Sequence, residues 1–444
     1  MPAGRKKLMW SIFAILLIIA FVAPVLAYLI GGETPAPPAD LLIVYDDKSK
    51  AAAQLLEEWI TSNYKGLRVK LVPASQFKVE FRAYPTVLVM NPQAVAKTPL
   101  FQFLRVYHVG DKSVPILAYD AMLDLANILS LRSGGNATIS LRYNASLYII
   151  DGYGPGAGLQ VVTAQVVPAL LPLLEALFAA KLPVAFVELN YTQARKMGIP
   201  VDQLQVLPAF VVKSDYNLTD GTVFVTYLGN GYYTLAPSVM RQLDEQMVQA
   251  GFIRVYELRV TPPNTATMML VGNASAPVKV AVYWDFLCPY SKKFEEESFP
   301  ILLRYAKEGK VALYIADYLI HPEAYKLHQL AHCIYQKYGA EKLLEYIPKA
   351  FAAIDILMGK SNMTLDEYVK MLAKEFNVTH CDYSLPTPMV NGAQELGVRG
   401  TPTVAVWGGR LPNNWVALIV GAQPPIVYRE FIDWALGIPV ITVK

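Results

Sequence analysis

A chain of 444 residues, 54% hydrophobic, only 17% charged and carrying a net charge of +3, is long enough for about three domains and too poor in charge for an extended disordered chain. Its one basic run is N-terminal, so no electrostatic footprint for nucleic acid is present. Three cysteines are too few for a disulfide scaffold and invite one bridge plus one free thiol.

The N-terminus carries the compartment signal. Arg5, Lys6 and Lys7 precede Leu8–Ile30, a stretch of 23 residues without a charge, and about 20 apolar residues suffice to cross a bilayer. The basic flank is expected to stay in the cytoplasm, which places everything beyond Gly31 outside on a single-pass anchor. A cleaved signal peptide is the competing reading, with Val25-Leu26-Ala27 as its small-residue site; either way the body is extracytoplasmic. Asn136, Asn144, Asn190, Asn217, Asn273, Asn362 and Asn377 each begin an Asn-x-Ser/Thr triplet, seven of the chain's 15 asparagines. They read as candidate glycosylation sites or as surface turns without sugar.

After a Pro-rich linker over 31–40, the pattern predicts a first domain over 41–135. It opens with a strand at Leu41–Tyr45, an amphipathic helix over Ala51–Tyr64 and a strand at Val69–Val72. Pro85 then leads into a strand, followed by a strand near Val106–Val109, a turn at Gly110-Asp111 and a helix over about Ala118–Leu131. Residues 136–257 repeat the order. Strands at Leu147–Ile150 and Pro183–Leu189 flank a long apolar helix, Val161–Leu182. Pro208 enters the next strand, Thr222–Leu228 follows, and a helix over about Pro237–Ala250 closes the unit. A third copy begins at Val278. It ends with the strand after Pro402, the turn Gly408-Gly409, the strand Val416–Val420 and the helix Val427–Leu436, and it holds an extra helical stretch over about 322–376. A proline that opens a strand donates nothing to a ladder, and in the cis form it makes a tight corner. Parallel strands joined by helices also imply a sheet covered on both faces.

The third copy carries the chemistry. Val278–Phe286 reads as a buried strand that delivers Cys288 to a helix starting near Pro289, within the run Trp284-Asp285-Phe286-Leu287-Cys288-Pro289-Tyr290-Ser291. Free amides at a helix start favour thiolate over thiol, and Lys292 and Lys293 add positive charge. Where a second cysteine could stand three residues on, the chain has Ser291.

Residues Gly272–Val278 and Asp285–Phe294, His321-Pro322-Glu323-Ala324, Cys333, Cys381 and the run Gly397-Val398-Arg399-Gly400-Thr401-Pro402-Thr403 together resemble DsbA-like thioredoxin-fold oxidoreductases. The resemblance covers 272–444. The two earlier copies are similar to the thioredoxin fold in outline and hold no cysteine. With the repeated pattern it implies an α/β protein of three tandem thioredoxin-like domains, the last with a helical insertion, and the apolar stretch Leu8–Ile30 places them behind an N-terminal transmembrane helix. It implies Cys288 as nucleophile with Pro289, Tyr290 and Ser291 completing the motif, and Thr401 and Pro402 beside it, the backbone of Thr401 pairing with a substrate strand. It implies no cofactor. Two departures stand out: the resolving position is Ser291, and the family's frequent buried carboxylate, six residues before the nucleophile, is Val282.

A monothiol site releases its mixed disulfide only to an outside thiol or to another thiol of the client, which suits an isomerase or reductase better than an autonomous oxidant. Ser291 is expected to donate a hydrogen bond to the thiolate. The expected partners are cysteine-containing polypeptides, an external thiol or redox partner, and the membrane. The other reading is a non-catalytic chaperone or scaffold that binds extracellular polypeptides. Cys333 and Cys381 read as a structural disulfide of the insertion, as two small buried hydrophobes, or as a source of a thiol that resolves Cys288. His328 and His332, at i and i+4 on a predicted helix, lack a third ligand in recognisable spacing, so a structural pair is favoured over a metal site.

Overall fold

The computed structural model describes residues 39–109, 112–135, 137–158, 163–360, 362–378, 380–381, 383–384 and 393–439. The expected membrane segment Leu8–Ile30, most of the linker and Asn136 lie outside the described residues. Among the described residues no helix is long and apolar enough to cross a membrane. Contacts group the chain into two compact units. One runs to Ile149 and takes in Ala164–Val187 and Phe210–Ala236; the other holds Ile150–Thr163, Glu188–Ala209 and everything from Pro237. Residues 136–257 are thus divided between them.

The first unit contains β1 (Leu41–Tyr45), α1 (Lys50–Asn63), β2 (Val69–Pro73), β3 (Ala83–Tyr84), β4 (Thr86–Val89), α2 (Pro92–Val95), β5 (Leu104–Val109), β6 (Lys112–Leu117) and α3 (Tyr119–Arg132). Its sheet has the order β2-β1-β4-β6-β5 and is mixed. β1 runs parallel to β2 and antiparallel to β4, which corrects the expectation of a sheet built on parallel pairs. Alternation along β1 sends Leu41 and Ile43 to one face, against Ala52, Leu56 and Ile60 of α1 and Met122 and Ala126 of α3. Leu42 and Val44 point to the other face, against Phe81, Tyr107 and Tyr119. A strand apolar at every position is thereby buried on both sides. The two-residue β7 (Ser140–Leu141) pairs with β3.

The same unit holds most of a second five-stranded sheet, built from β8 (Ala145–Ile150), β9 (Phe186–Leu189), β11 (Ala209–Ser214), β12 (Val225–Gly229) and β13 (Tyr232–Leu235), with α4 (Thr163–Phe178) between β8 and β9. Its order, β12-β13-β11-β8-β9, repeats that of the first sheet when each strand is matched by its place in its own copy.

The second unit is built on a seven-stranded sheet, β10-β14-β19-β18-β16-β17-β15. Before the third copy come α5 (Tyr191–Lys196), β10 (Val206–Leu207), α6 (Pro237–Gln249), β14 (Val255–Arg259) and β15 (Met269–Gly272). Then follow β16 (Val278–Trp284), α7 (Pro289–Glu297), α8 (Phe299–Lys307) and β17 (Val311–Asp317). The insertion forms α9 (Tyr325–Tyr338), α10 (Ala340–Phe351), α11 (Ala353–Leu357) and α12 (Leu365–Glu375), within the bounds the sequence predicts. β18 (Thr403–Gly408), β19 (Trp415–Val420) and α13 (Pro425–Ala435) complete the unit. β16 is parallel to β17 and antiparallel to β18, the arrangement found at β1.

Among the strands that escape the sequence reading, β6 and β13 complete the first two sheets and two others extend the third. β15 pairs with β17, and β14 extends the sheet beyond β19. In β14 the apolar pattern is broken by Glu257, which is fully buried and accepts the amides of Tyr153 and Gly154 at 2.7 and 2.8 Å. Burial, opposed by those two bonds, raises its carboxyl to about 7. Peptide bonds preceding Pro85, Pro208 and Pro402 are cis, one in each copy.

Candidate active site at Cys288

β16 is buried along its whole length except Lys279, and it ends at Trp284, whose ring packs on Phe286, Phe299 and Phe351. The strand stops two residues earlier than its apolar run suggests because Asp285 turns the chain. Its carboxylate accepts the amide of Leu287 through Oδ1 at 2.8 Å, and those of Ile320 and His321 through Oδ2 at 2.8 and 2.7 Å. Short side-chain bonds to nearby amides compete with the strand ladder.

Cys288 follows as the N-cap of α7, extended in backbone and only 3% exposed. Pro289 takes the first helical position, where a missing amide costs nothing. Tyr290 is exposed at 67% beside the buried thiol. The Cys288 amide donates to the Asp285 carbonyl at 3.0 Å, and Sγ donates to the carbonyl of Thr401 at 3.3 Å. The nucleophile and the cis-proline loop, 113 residues apart in sequence, are therefore in contact.

Ser291 is fully buried, and its hydroxyl accepts the Asp285 amide at 3.4 Å. Among the described residues no hydrogen bond joins it to Cys288, so its expected donation to the sulfur is replaced by a bond that closes the turn. The charge of Lys292 is shared with Asp355 at 3.3 Å and that of Lys293 with Glu297 at 4.0 Å, so neither lysine is a free cation beside the thiol. Thr401 and Pro402 are where the motif puts them. Thr401 is buried, with no partner for Oγ1 among the described residues, and the Pro402 carbonyl accepts the Gly421 amide at 2.8 Å. Arg399, two residues before Thr401, pairs with Glu245 of α6 at 3.2 Å.

Cys333 and Cys381 form a disulfide with Cα atoms 5.9 Å apart, which leaves Cys288 as the free cysteine. The bridge ties α9 to the chain leaving the insertion. Val282 is buried between β17 and β18, opposite Ile315 and Val404, so the site has no carboxylate at that position.

Two carboxylates lie close by instead. Asp285 is one; the other is Asp317, the last residue of β17 and the register partner of Trp284. Asp317 is buried and accepts from His328 Nδ1 at 2.6 Å, while its second oxygen meets His332 Nε2. Burial by itself raises a carboxyl, but the two imidazoles outweigh it and hold Asp317 well below the usual carboxylate range. His328 and His332 thus form a buried structural pair on one carboxylate. Among the described residues no cluster of three or more such side chains could hold a metal. The sequence reading passed over Asp317. Its signal was an apolar strand ending in aspartate shortly before two histidines one turn apart.

The thioredoxin family profile matches residues 264–415, a span that contains both Cys288 and Pro402. This part of the chain is similar to the thioredoxin family. Solved structures similar to it include a conserved protein of unknown function from Enterococcus faecalis V583, with 24% identity and a TM-score of 0.32, covering 38% of this chain and 92% of that one. A point variant of Wolbachia pipientis alpha-DsbA1 shares 20% identity at a TM-score of 0.33, over 40% of this chain and 94% of its own. Bacillus subtilis BdbD in its oxidised form shares 17% at 0.29, over 40% and 97%. Among curated protein sequences none matches the chain. Three residues after Cys288 the chain has Ser291, which leaves one sulfur in the turn.

Proposed function

We propose that the chain is a thiol–disulfide oxidoreductase of the isomerase or reductase type, held outside the cytoplasm on its N-terminal segment and acting on secreted or surface polypeptides. The observation that carries this reading is the contact of Cys288 Sγ with the Thr401 carbonyl beside cis-Pro402, in a chain whose other two cysteines are tied to each other.

In the proposed cycle the Cys288 thiolate attacks one sulfur of a client disulfide. An S–S bond forms between enzyme and client, and the other client sulfur leaves as a thiolate. With Ser291 in the resolving position, a second client thiol or an external one attacks the mixed disulfide and restores Cys288. Isomerisation needs no net oxidant. Reduction draws its electrons from the external thiol.

The two cysteine-free copies read as client-positioning domains, with boundaries at 41–135 and 136–257. Glycosylation fits the same placement: Asn144, Asn190, Asn217, Asn273, Asn362 and Asn377 are all exposed.

The burial of Cys288 favours a second reading, that of a chaperone or scaffold whose sulfur does not turn over. Non-reducing mass spectrometry of the full chain extracted from membranes separates the two. Covalent clients on wild type that vanish in Cys288→Ala support exchange; unchanged client binding in Cys288→Ala, with no mixed disulfide in wild type, sinks it.

A further inference from the structure

Each backbone amide of the nucleophile turn has an acceptor. The Asp285 amide goes to Ser291 Oγ, that of Leu287 to Asp285 Oδ1 and that of Cys288 to the Asp285 carbonyl. These bonds close within seven residues of chain. The Phe286 amide is the exception: it donates to His328 Nε2 at 3.2 Å, 42 residues on, in the helical insertion.

We infer that His328, oriented by Asp317, is a positioning residue for Cys288, holding through the Phe286 amide the turn that sets Sγ against Thr401. An amide can only donate, so Nε2 carries no proton and the ring proton sits on Nδ1, facing Asp317 at 2.6 Å. The ring is fully buried and packs on that of Phe286 at 4.4 Å between centroids. Asp317 is fixed in turn by His332, which stacks on Tyr383 at 4.1 Å. The arrangement follows the logic by which a carboxylate selects the tautomer and aim of a working imidazole.

Protonation of Nε2 would set donor against donor and release the turn. The titratable groups around the ring are Asp317 on β17, His332 on the same helix, Tyr346 of α10 on the far side of Phe286, Tyr383 beyond His332, and Asp285 with His321 at the turn.

The inference rests on Cys288 being the reactive group, and the test separates the two. With Cys333 and Cys381 bridged, Ellman's reagent reads Cys288 alone in the purified full chain: thiolate attack on the aryl disulfide forms a mixed disulfide and releases one thionitrobenzoate. The rate is followed from pH 5.5 to 8 in wild type, His328→Gln and His328→Phe, and hydrogen exchange of the segment containing Phe286 is measured alongside. Gln keeps an acceptor for the amide and a donor for Asp317 but does not titrate; Phe keeps the ring and loses both. At pH 7.5 His328→Phe is expected to lose amide protection and, with Sγ released from Thr401, to change its rate about tenfold, while His328→Gln stays within about threefold of wild type. Toward the acid end of the range the wild-type rate should depart from that of His328→Gln in the direction that His328→Phe shows. If His328→Phe loses protection yet reacts as wild type does at every pH, His328 is structural only and the inference falls. A wild type inert to the reagent throughout overturns the thiol reading itself, and the inference with it.

Discussion

The thiol of Cys288 points at the main-chain oxygen of Thr401 across 3.3 Å, so the residue before cis-Pro402 closes over the sulfur rather than leaving it open to solvent. Any disulfide that is to reach Sγ must displace that contact. The turn below it is closed by Ser291, on the side where a second sulfur would stand.

Ser291→Cys is predicted to give that turn a second sulfur and convert the site to a dithiol. Under oxidising conditions the variant should lose both thiols to alkylation, its mass falling by two hydrogens, and should retain far less mixed disulfide with clients than wild type. Intact-protein mass spectrometry after alkylation reads both. Two alkylated thiols after complete oxidation would show that the turn cannot bring the sulfurs together.

Removing the bridge by Cys333→Ser with Cys381→Ser should lower the stability of the third copy. The bridge closes a loop of 48 residues, for which chain entropy in the unfolded state gives about 4 kcal/mol. The denaturant midpoint of the double variant is compared with that of wild type under non-reducing conditions; equal midpoints would contradict the prediction.

Asp244, on α6, is fully buried, and among the described residues neither of its carboxylate oxygens has a hydrogen-bond partner. Burial, with the charge of Glu245 adding to it, raises its pKa well above the usual value. Within the window from the unfolded value of about 3.9 up to the folded value, the folded state holds a proton that the unfolded state gives up. Stability therefore falls as pH rises, by about 1.4 kcal/mol per pH unit inside that window. Asp244→Asn, which has no proton to take up, should match wild type near pH 4 and exceed it at pH 8. Thermal unfolding at the two pH values checks the sign. A wild type that gains on the variant as pH rises would refute it.

Trp284→Ala should cost about 3–5 kcal/mol, because the ring joins β16 to Phe286 of the turn, Phe299 of α8 and Phe351 of α10. Chemical denaturation measures the loss; a shift below about 1 kcal/mol would mean the neighbouring rings close the cavity.

Much of the site was legible because it is written in short stretches of chain. An apolar run, a cysteine, a proline and a charged helix predict strand, turn and helix without reference to any other segment, and Cys288 is an N-cap as expected. The strand ending was not legible, since it depends on Asp285 choosing the amides of Ile320 and His321 over solvent. β14 was hidden by Glu257, a charge that lies in the core only because a glycine-rich loop presents two amides to it. The lysines beside the thiol looked like free cations, yet Lys292 finds Asp355, 63 residues away.

The amino-acid sequence by itself determined the periodic order of strands, helices and strand-opening prolines, the single sulfur of the turn, and the insertion between the second and third strands of the last copy. These follow from local preferences for φ and ψ and from the spacing of apolar side chains, which neighbours along the chain suffice to set. Tertiary structure alone decided that Asp285 meets the amides of Ile320 and His321, that Asp317 gathers both histidines, and that His328 reaches back to the Phe286 amide. Each is a pairing of buried polar groups, and which donor meets which acceptor depends on helices and strands brought together from distant parts of the chain.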